Sequence, residues 1–224
     1  MLFDDLPRPA VRVTDGVAHL PGWLPLPRQR ELVEQARQIA RSVTGTPVAM
    51  RRPVVGSGQM SVWMMPLGRF WRTRPYGYVA EIDGTAVPPI PGPWQELAQA
   101  AVRAAADIDD DLRPWAENFR AEVALVNYYP PGARMGMHVD ADEASAAPVV
   151  SLSVGDEALF RIGGTEHRNR PWDDVALLSG DLIVFGGAKR RAYHGVPAVR
   201  AGTLPDGCGL KEGRLNVTLR QLTD

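Results

Sequence analysis

Between residues 28 and 43 the apolar positions Leu32, Val33, Ala36, Ile39, Ala40 and Val43 recur at helical spacing and make one stripe. The pattern predicts a packing helix. A second is predicted from PGPWQELAQAAVRAAAD, residues 91–107, where proline stands at the start and Trp94, Leu97, Ala101, Val102 and Ala105 fall on one side. The acidic DIDDDLRP closes it, with the proline marking the exit. From about residue 120 the pattern changes to short β-like runs parted by Gly, Pro and Asp: EVALVNYY, APVVSLSVG, ALFRIGG, DVALLSGDLIVFGG, RAYHGVP and RLNVTLRQL. Strands this short and this closely punctuated predict an antiparallel sandwich or barrel rather than alternating β/α units, with a jelly roll as the natural candidate.

A chain of 224 residues can bury a large core as one domain, or as a domain with a substantial extension. The formal charge of −1 argues against coating nucleic acid by bulk electrostatics, while leaving room for a local basic groove. Lys189 and Lys211 are the only lysines, so arginine carries almost all positive charge. Arginine suits bidentate carboxylate and phosphate contacts, though base composition of the gene gives the same bias. No run of about 18 apolar residues appears, so no membrane span is expected. MLFDDLPRPAVRV does not read as a secretory signal, and the single Cys208 fits a reducing cytoplasm.

The candidate chemistry begins in NYYPPGARMGMHVDADE, residues 127–143, which sets His138 two positions from Asp140. Imidazole with carboxylate suits a divalent metal; a solvated loop is the plainer reading of the same stretch. His194, in RAYHGVP, comes 56 residues later. A jelly roll brings distant strands together, so His138, Asp140 and His194 can form a two-histidine, one-carboxylate triad, of a kind that serves iron or zinc. In GRLNVTLRQL, Arg214, Asn216, Thr218 and Arg220 share one face of a strand. Two guanidiniums on one face are either solvated, the commoner case, or meet the anions of a dicarboxylate cosubstrate. Aromatics and arginines interleave in GSGQMSVWMMPLGRFWRTRPYGY, residues 56–78, which suits base stacking and core packing alike.

Taken together, LVNYYPPGARMGMHVDADE, PVVSLSVG, LFRIGG, LLSGDLIVFGGAKRRAYHGVP and RLNVTLRQ stand in the order found in the AlkB family of Fe(II)- and 2-oxoglutarate-dependent dioxygenases, and the second half of the chain resembles that family almost continuously. QMSVWMMPLGRFWRTRPYGY is similar, less closely, to the segment that covers the substrate base. The resemblance implies a mainly β (α+β) fold: a double-stranded β-helix, or jelly roll, over residues 120–224, with residues 1–119 supplying N-terminal helices and a nucleotide-recognition lid packed on it as one compact unit. It implies Fe(II) held by His138, Asp140 and His194, 2-oxoglutarate held by Asn127, Tyr129, Arg214, Asn216 and Arg220 with Leu125 and Ser153 lining the same pocket, and O2 as the oxidant. Trp71 and Tyr78 match base-contacting aromatics, although the chain is one residue shorter than the bacterial pattern just before Trp71. Asp142, Glu143 and Arg161 are further expected substrate contacts, Arg161 in a place where a less polar residue is usual. AKRR (188–191) and EHRNR (166–170) are expected either at phosphates or on a solvated rim; His167 is expected at the surface without a role. The implied activity is oxidative dealkylation of N-alkylated bases, of the 1-methyladenine and 3-methylcytosine type, in single-stranded or flipped-base DNA by a cytoplasmic monomer. The same chemistry on RNA, protein or a small molecule is the first alternative, and a non-catalytic metal-binding jelly roll the second.

Overall fold

The computed structural model describes residues 8–73 and 75–223. The stretch read for a secretory signal therefore begins outside the described residues, as does Arg74 of the lid segment. In chain order come β1 (Val11–Thr14), β2 (Val17–Leu20), α1 (Leu26–Ser42), the short hairpin β3 (Val54–Val55) and β4 (Gly58–Gln59), β5 (Trp63–Leu67), β6 (Phe70–Thr73) and β7 (Tyr76–Val79), β8 (Glu81–Ile82) and β9 (Thr85–Ala86), and α2 (Gly92–Ala106). The second half holds β10 (Val123–Tyr129), β11 (Met135–His138), β12 (Val149–Gly155), β13 (Glu157–Ile162), β14 (Asp173–Leu177), β15 (Leu182–Phe185), β16 (His194–Arg200) and β17 (Arg214–Arg220).

The strands form a jelly roll of two antiparallel sheets. The larger has the order β1-β2-β15-β12-β17-β10-β5 and the smaller β11-β16-β13-β14. Strand alternation divides the larger sheet into two faces. Leu182 and Val184, Val150, Leu152 and Val154, Leu215, Val217 and Leu219, and Ala124 and Val126 join one apolar cluster with Leu32, Val33 and Ala36 of α1 and Trp94, Ala98 and Ala101 of α2. The intervening residues face the smaller sheet: Val149, Ile183 and Phe185 pack with Phe160, Ile162, Val175 and Leu177. With both faces covered, the strands read as nearly continuous apolar runs, and the polar side chains on the inner face are placed in the interior.

Three strands of the larger sheet come from the first half, which the hydrophobic pattern shows only as loops and helices. β1 and β2 form a hairpin around Asp15-Gly16, with Gly16 at φ 76°, and β2 pairs with β15. A Cβ at Gly16 would lie 2.4 Å from the Gly186 carbonyl oxygen. Only glycine fits this turn. β5 pairs with β10 at the sheet edge, where Pro66 is tolerated. The acidic segment does not simply end α2: residues Asp110–Trp115 form a 3-10 helix with Pro114 inside it, capped by the Asp109 carboxylate, which accepts from the Asp111 N–H at 2.9 Å.

Candidate active site

His138 closes β11 and His194 opens β16, and the two are partners across the antiparallel pair. Their ring centroids lie 4.4 Å apart. Each imidazole is oriented by a backbone carbonyl, Nδ1 of His138 on Gly136 and Nδ1 of His194 on Ala192, both at 3.0 Å. A carbonyl only accepts, so both Nδ1 atoms carry the proton and both Nε2 lone pairs are free for a metal. Asp140 completes the group, its carboxylate 3.9 Å from Nε2 of His138 and 3.8 Å from that of His194. One ligand atom from each of the three lies within 4.8 Å of the others, a set able to hold one metal ion. Burial pushes the His194 imidazole down to about 4, keeping it neutral and able to ligate. Burial would raise the Asp140 carboxyl, but Arg220, with His194 and His138, outweighs it and holds the group at about 2. Phe185 lies against His194 with ring centroids 4.8 Å apart and walls its far side.

The triad opens into a cavity of about 590 Å³ between the sheets, lined also by Leu125, Asn127, Tyr129, Arg214, Asn216 and Arg220. Strand register gathers these residues: Asn216 of β17 is the partner of Asn127 on β10 and of Ser153 on β12, and Arg214 is opposite Tyr129. Asn127 donates to Asn216 at 3.2 Å; Asn216 donates to Ser151 and to the Leu152 carbonyl. Arg214 is 1% exposed and donates to Ser153 at 2.8 Å, with the Tyr129 ring 5.0 Å from its Cζ. Its Nε and Nη1 have no partner, nor do Nε of Arg220 and Oδ1 of Asn127. Among the described residues no carboxylate pairs with Arg214, and burial pushes its pKa down. A buried guanidinium with unmet N–H groups is costly until an anion arrives, so this wall fits a small dicarboxylate. Arg220, 3.1 Å from Asp140 and 2.9 Å from Glu143, stands between that wall and the metal ligands.

A second cavity of about 570 Å³ adjoins the first and shares Met64, Trp71, Leu125, Asp142 and Arg220 with it. Trp71 and Tyr78 are cross-strand partners in the β6–β7 hairpin. The hairpin is tied to the loop after Asp140 by two phenols, Tyr76 donating to Asp142 and Tyr78 to Glu143. Burial pushes Tyr78 up, so its phenol remains a donor.

Two expected substrate contacts sit elsewhere. Glu143 is buried and held by Arg190, Arg220 and Tyr78, so it braces the loop beneath the site instead of facing a ligand. Arg161 lies on the other face of β13 from Phe160; it pairs with Asp174 at 2.7 Å and covers Trp172, away from the cavity. Strand alternation decides this, since Phe160 takes the inward position. Of the AKRR side chains, Arg190 is buried, Lys189 half-buried and Arg191 exposed. Lys189 donates to the Gly163 carbonyl, Arg190 to the carbonyls of Asp140 and Ala147, and Arg191 to those of Ala141 and Glu143. Arg190 and Arg191 staple the loop that carries Asp140. Residues 166–170, His167 included, are exposed. Tyr76 was missed by the sequence reading, and Arg190, read within AKRR as a phosphate contact or rim residue, is instead buried. The two-residue spacing of Tyr76 and Tyr78 is a legible signal, whereas the burial of Arg190 has none in the sequence.

The 2OG-Fe(II) oxygenase superfamily model matches residues 16–220. The chain is 36% identical over 216 residues to the alpha-ketoglutarate-dependent dioxygenase AlkB homolog of Caulobacter vibrioides, covering 93% of this chain and 89% of that protein. The chain belongs to the AlkB family. It is an Fe(II)- and 2-oxoglutarate-dependent dioxygenase of that family, with the jelly-roll fold its sequence led us to expect. The DNA N(6)-methyladenine demethylase ALKBH1C of Arabidopsis thaliana is 32% identical over 70% of this chain, which spans only 38% of that longer protein. The solved structure of OsALKBH1 superposes with a TM-score of 0.80 at 28% identity, over 95% of this chain and all of that one. No helix among the described residues is long and apolar enough to cross a membrane.

Proposed function

We propose that this chain removes alkyl groups from nitrogen atoms of DNA bases by oxidation. His138, Asp140 and His194 hold Fe(II). Arg214 would take one carboxylate of 2-oxoglutarate, and Arg220, nearer the triad, would stand by the other. Asn127, Tyr129 and Asn216 flank the cosubstrate, Leu125 covers it, and Ser153 fixes the Arg214 fork. The observation that carries this reading is the buried pair Arg214 and Arg220, each with an unmet N–H, on the wall of the cavity that the triad enters.

Held by these residues, iron would supply oxidation of an N-methyl carbon by O2, coupled to conversion of 2-oxoglutarate to succinate and CO2, and the N-methyl group would leave as formaldehyde. The protein's share is placement and the exclusion of water. Leu125, Phe160, Phe185 and Met64 make the reaction chamber apolar on the sides that Arg214 and Arg220 do not occupy. Trp71, at the passage between the cavities, offers a ring to a base that has left its stack. Asp142, exposed at the mouth, presents a carboxylate to an exocyclic amine or to the positive charge of a base such as 1-methyladenine. The name of the Arabidopsis relative supports DNA as the substrate class. We further take residues 120–224 as the catalytic core, with the first half adding its helices, the lid and three strands of the larger sheet, in one compact monomer. The single Cys208, buried and free, supports a cytoplasmic setting.

Turnover of a short single-stranded DNA bearing 1-methyladenine, compared with RNA of the same sequence, tests the substrate. Faster formaldehyde release from DNA supports the reading; release from RNA alone overturns it.

A further inference from the structure

Four of the chain's 7 methionines, Met60, Met64, Met135 and Met137, stand on the wall of the metal cavity. Leucine fills such positions with nearly the same volume, so packing alone does not call for sulfur there. A thioether differs from leucine in one chemical respect: its sulfur readily takes up an oxygen atom and becomes a polar sulfoxide. This wall encloses the space in which the chain's own activity consumes O2.

The four positions are not equivalent. The sulfur of Met135 accepts from the Tyr129 hydroxyl at 3.7 Å, and the side chain packs against the cluster of Val62, Ala133 and Val196. Met137 sends its Cε to the Gly163 backbone, where a Cβ on Gly163 would lie 3.7 Å from it. Met60 lies between β4 and β5, outside the paired strands. Met64 is held in β5, directly across from Asn127 on β10. Strand alternation turns Met65 into the core under the helices and Met64 into the cavity. Met64 is also the one methionine on the walls of both cavities, so its sulfur stands at the passage by which an alkylated base reaches the triad.

We propose that Met64 is a modification site of the chain's own reaction: with 2-oxoglutarate and O2 present and no base in the passage, its sulfur receives the oxygen atom otherwise given to an N-alkyl carbon. The proposal rests on the iron and 2-oxoglutarate reading of the triad. One atom of O2 enters succinate as 2-oxoglutarate loses CO2, and the other forms the S=O bond. The sulfur gives up two electrons and the decarboxylation two, O2 takes all four, and no proton is left over. A bound base shields the sulfur, so the modification belongs to slow turnover without substrate. The sulfoxide sets a strong dipole in a passage that Leu125 and Trp71 keep apolar, and bases then bind less well. A chain that runs idle thus slows itself, and thiol-dependent reduction of the sulfoxide restores it.

The test incubates the iron-loaded protein with 2-oxoglutarate and O2 enriched in the heavy oxygen isotope, without oligonucleotide, and maps the label by mass spectrometry of its peptides. Oxygen picked up in handling is light and does not count. Heavy sulfoxide is expected at Met64 about tenfold or more above Met60, Met135 and Met137, because small misplacements of a reacting atom cost rate steeply. It should be absent without 2-oxoglutarate and suppressed by a 1-methyladenine oligonucleotide. The same incubation should remove most of the wild type's later activity on that oligonucleotide, and methionine sulfoxide reductase with a thiol should return it. Met64→Leu, measured against its own starting rate, should lose little. No heavy oxygen on Met64, or equal label on Trp71 or the other three methionines, with succinate still formed beside the oligonucleotide, overturns the proposal and leaves the dioxygenase reading intact. No succinate under any of these conditions overturns both.

Discussion

Gly195, the second residue of β16, and Gly136 of β11 pass each other backbone to backbone, so close that a Cβ on Gly195 would lie 2.9 Å from the Gly136 carbonyl. His138 and His194 face each other across β11 and β16 because these strands approach that closely.

Gly195→Ala should therefore force β11 away and part the two imidazoles. Metal affinity is expected to fall by about tenfold or more, in line with other changes that misorient ligands without removing them. A Co(II) titration followed by absorbance measures this, and an unchanged affinity would show that the strand spacing does not set the site.

Arg214 is buried without a carboxylate partner, so its charge burdens the fold until an anion binds. Arg214→Met should leave the melting temperature without cosubstrate unchanged or higher. The stabilisation of about 2.7 kcal/mol that 2-oxoglutarate gives at a hundred times its Kd should vanish. Thermal melts with and without 2-oxoglutarate decide both parts.

Glu143 and Arg190 form an ion pair of 3.1 Å with almost no exposure. Arg190→Ala removes that partner and two carbonyl contacts, to Asp140 and Ala147. A loss of about 3–5 kcal/mol is expected, as for a buried pair broken on one side. Denaturant unfolding gives the figure.

Asp181 accepts hydrogen bonds from His19, Arg8 and the N–H groups of Gly22 and Leu178, joining the N-terminal hairpin to the turn before β15. Burial alone would raise its pKa, but these donors together hold it below the ordinary 3.8. A carboxyl depressed in the fold contributes its full stability above that ordinary value and loses it as pH falls through the folded pKa. Asp181→Asn should cost about 1–3 kcal/mol at neutral pH and flatten the stability curve below about pH 4. Denaturant midpoints of both proteins across pH 3–7 test this.

The pattern of residues showed the helices, the strands of the second half and the inward face of β17. It did so because alternation and helical spacing are local. Hairpin β1–β2 was legible too, in the Asp15-Gly16 turn of VRVTDGVAHL, yet its four-residue strands are too short for their apolar residues to stand out. β11 was hidden by its composition, MGMH, in which three of the four positions, Met135, Gly136 and Met137, carry no strand preference. The residues expected at the metal and the cosubstrate line one cavity, since strand register gathers them. Glu143 and Arg190 escaped because which side of a loop is buried depends on what closes over it, here Tyr78 and Arg220, from distant parts of the chain.

Counting succinate and formaldehyde together, in one reaction with a 1-methyladenine oligonucleotide, tests the central claim most directly. The site as described predicts equal amounts of both, dependent on the methylated base, and neither product from Asp140→Ala. Succinate formed at the same rate without the oligonucleotide and with no formaldehyde, or formaldehyde still released by iron-loaded Asp140→Ala, would contradict it.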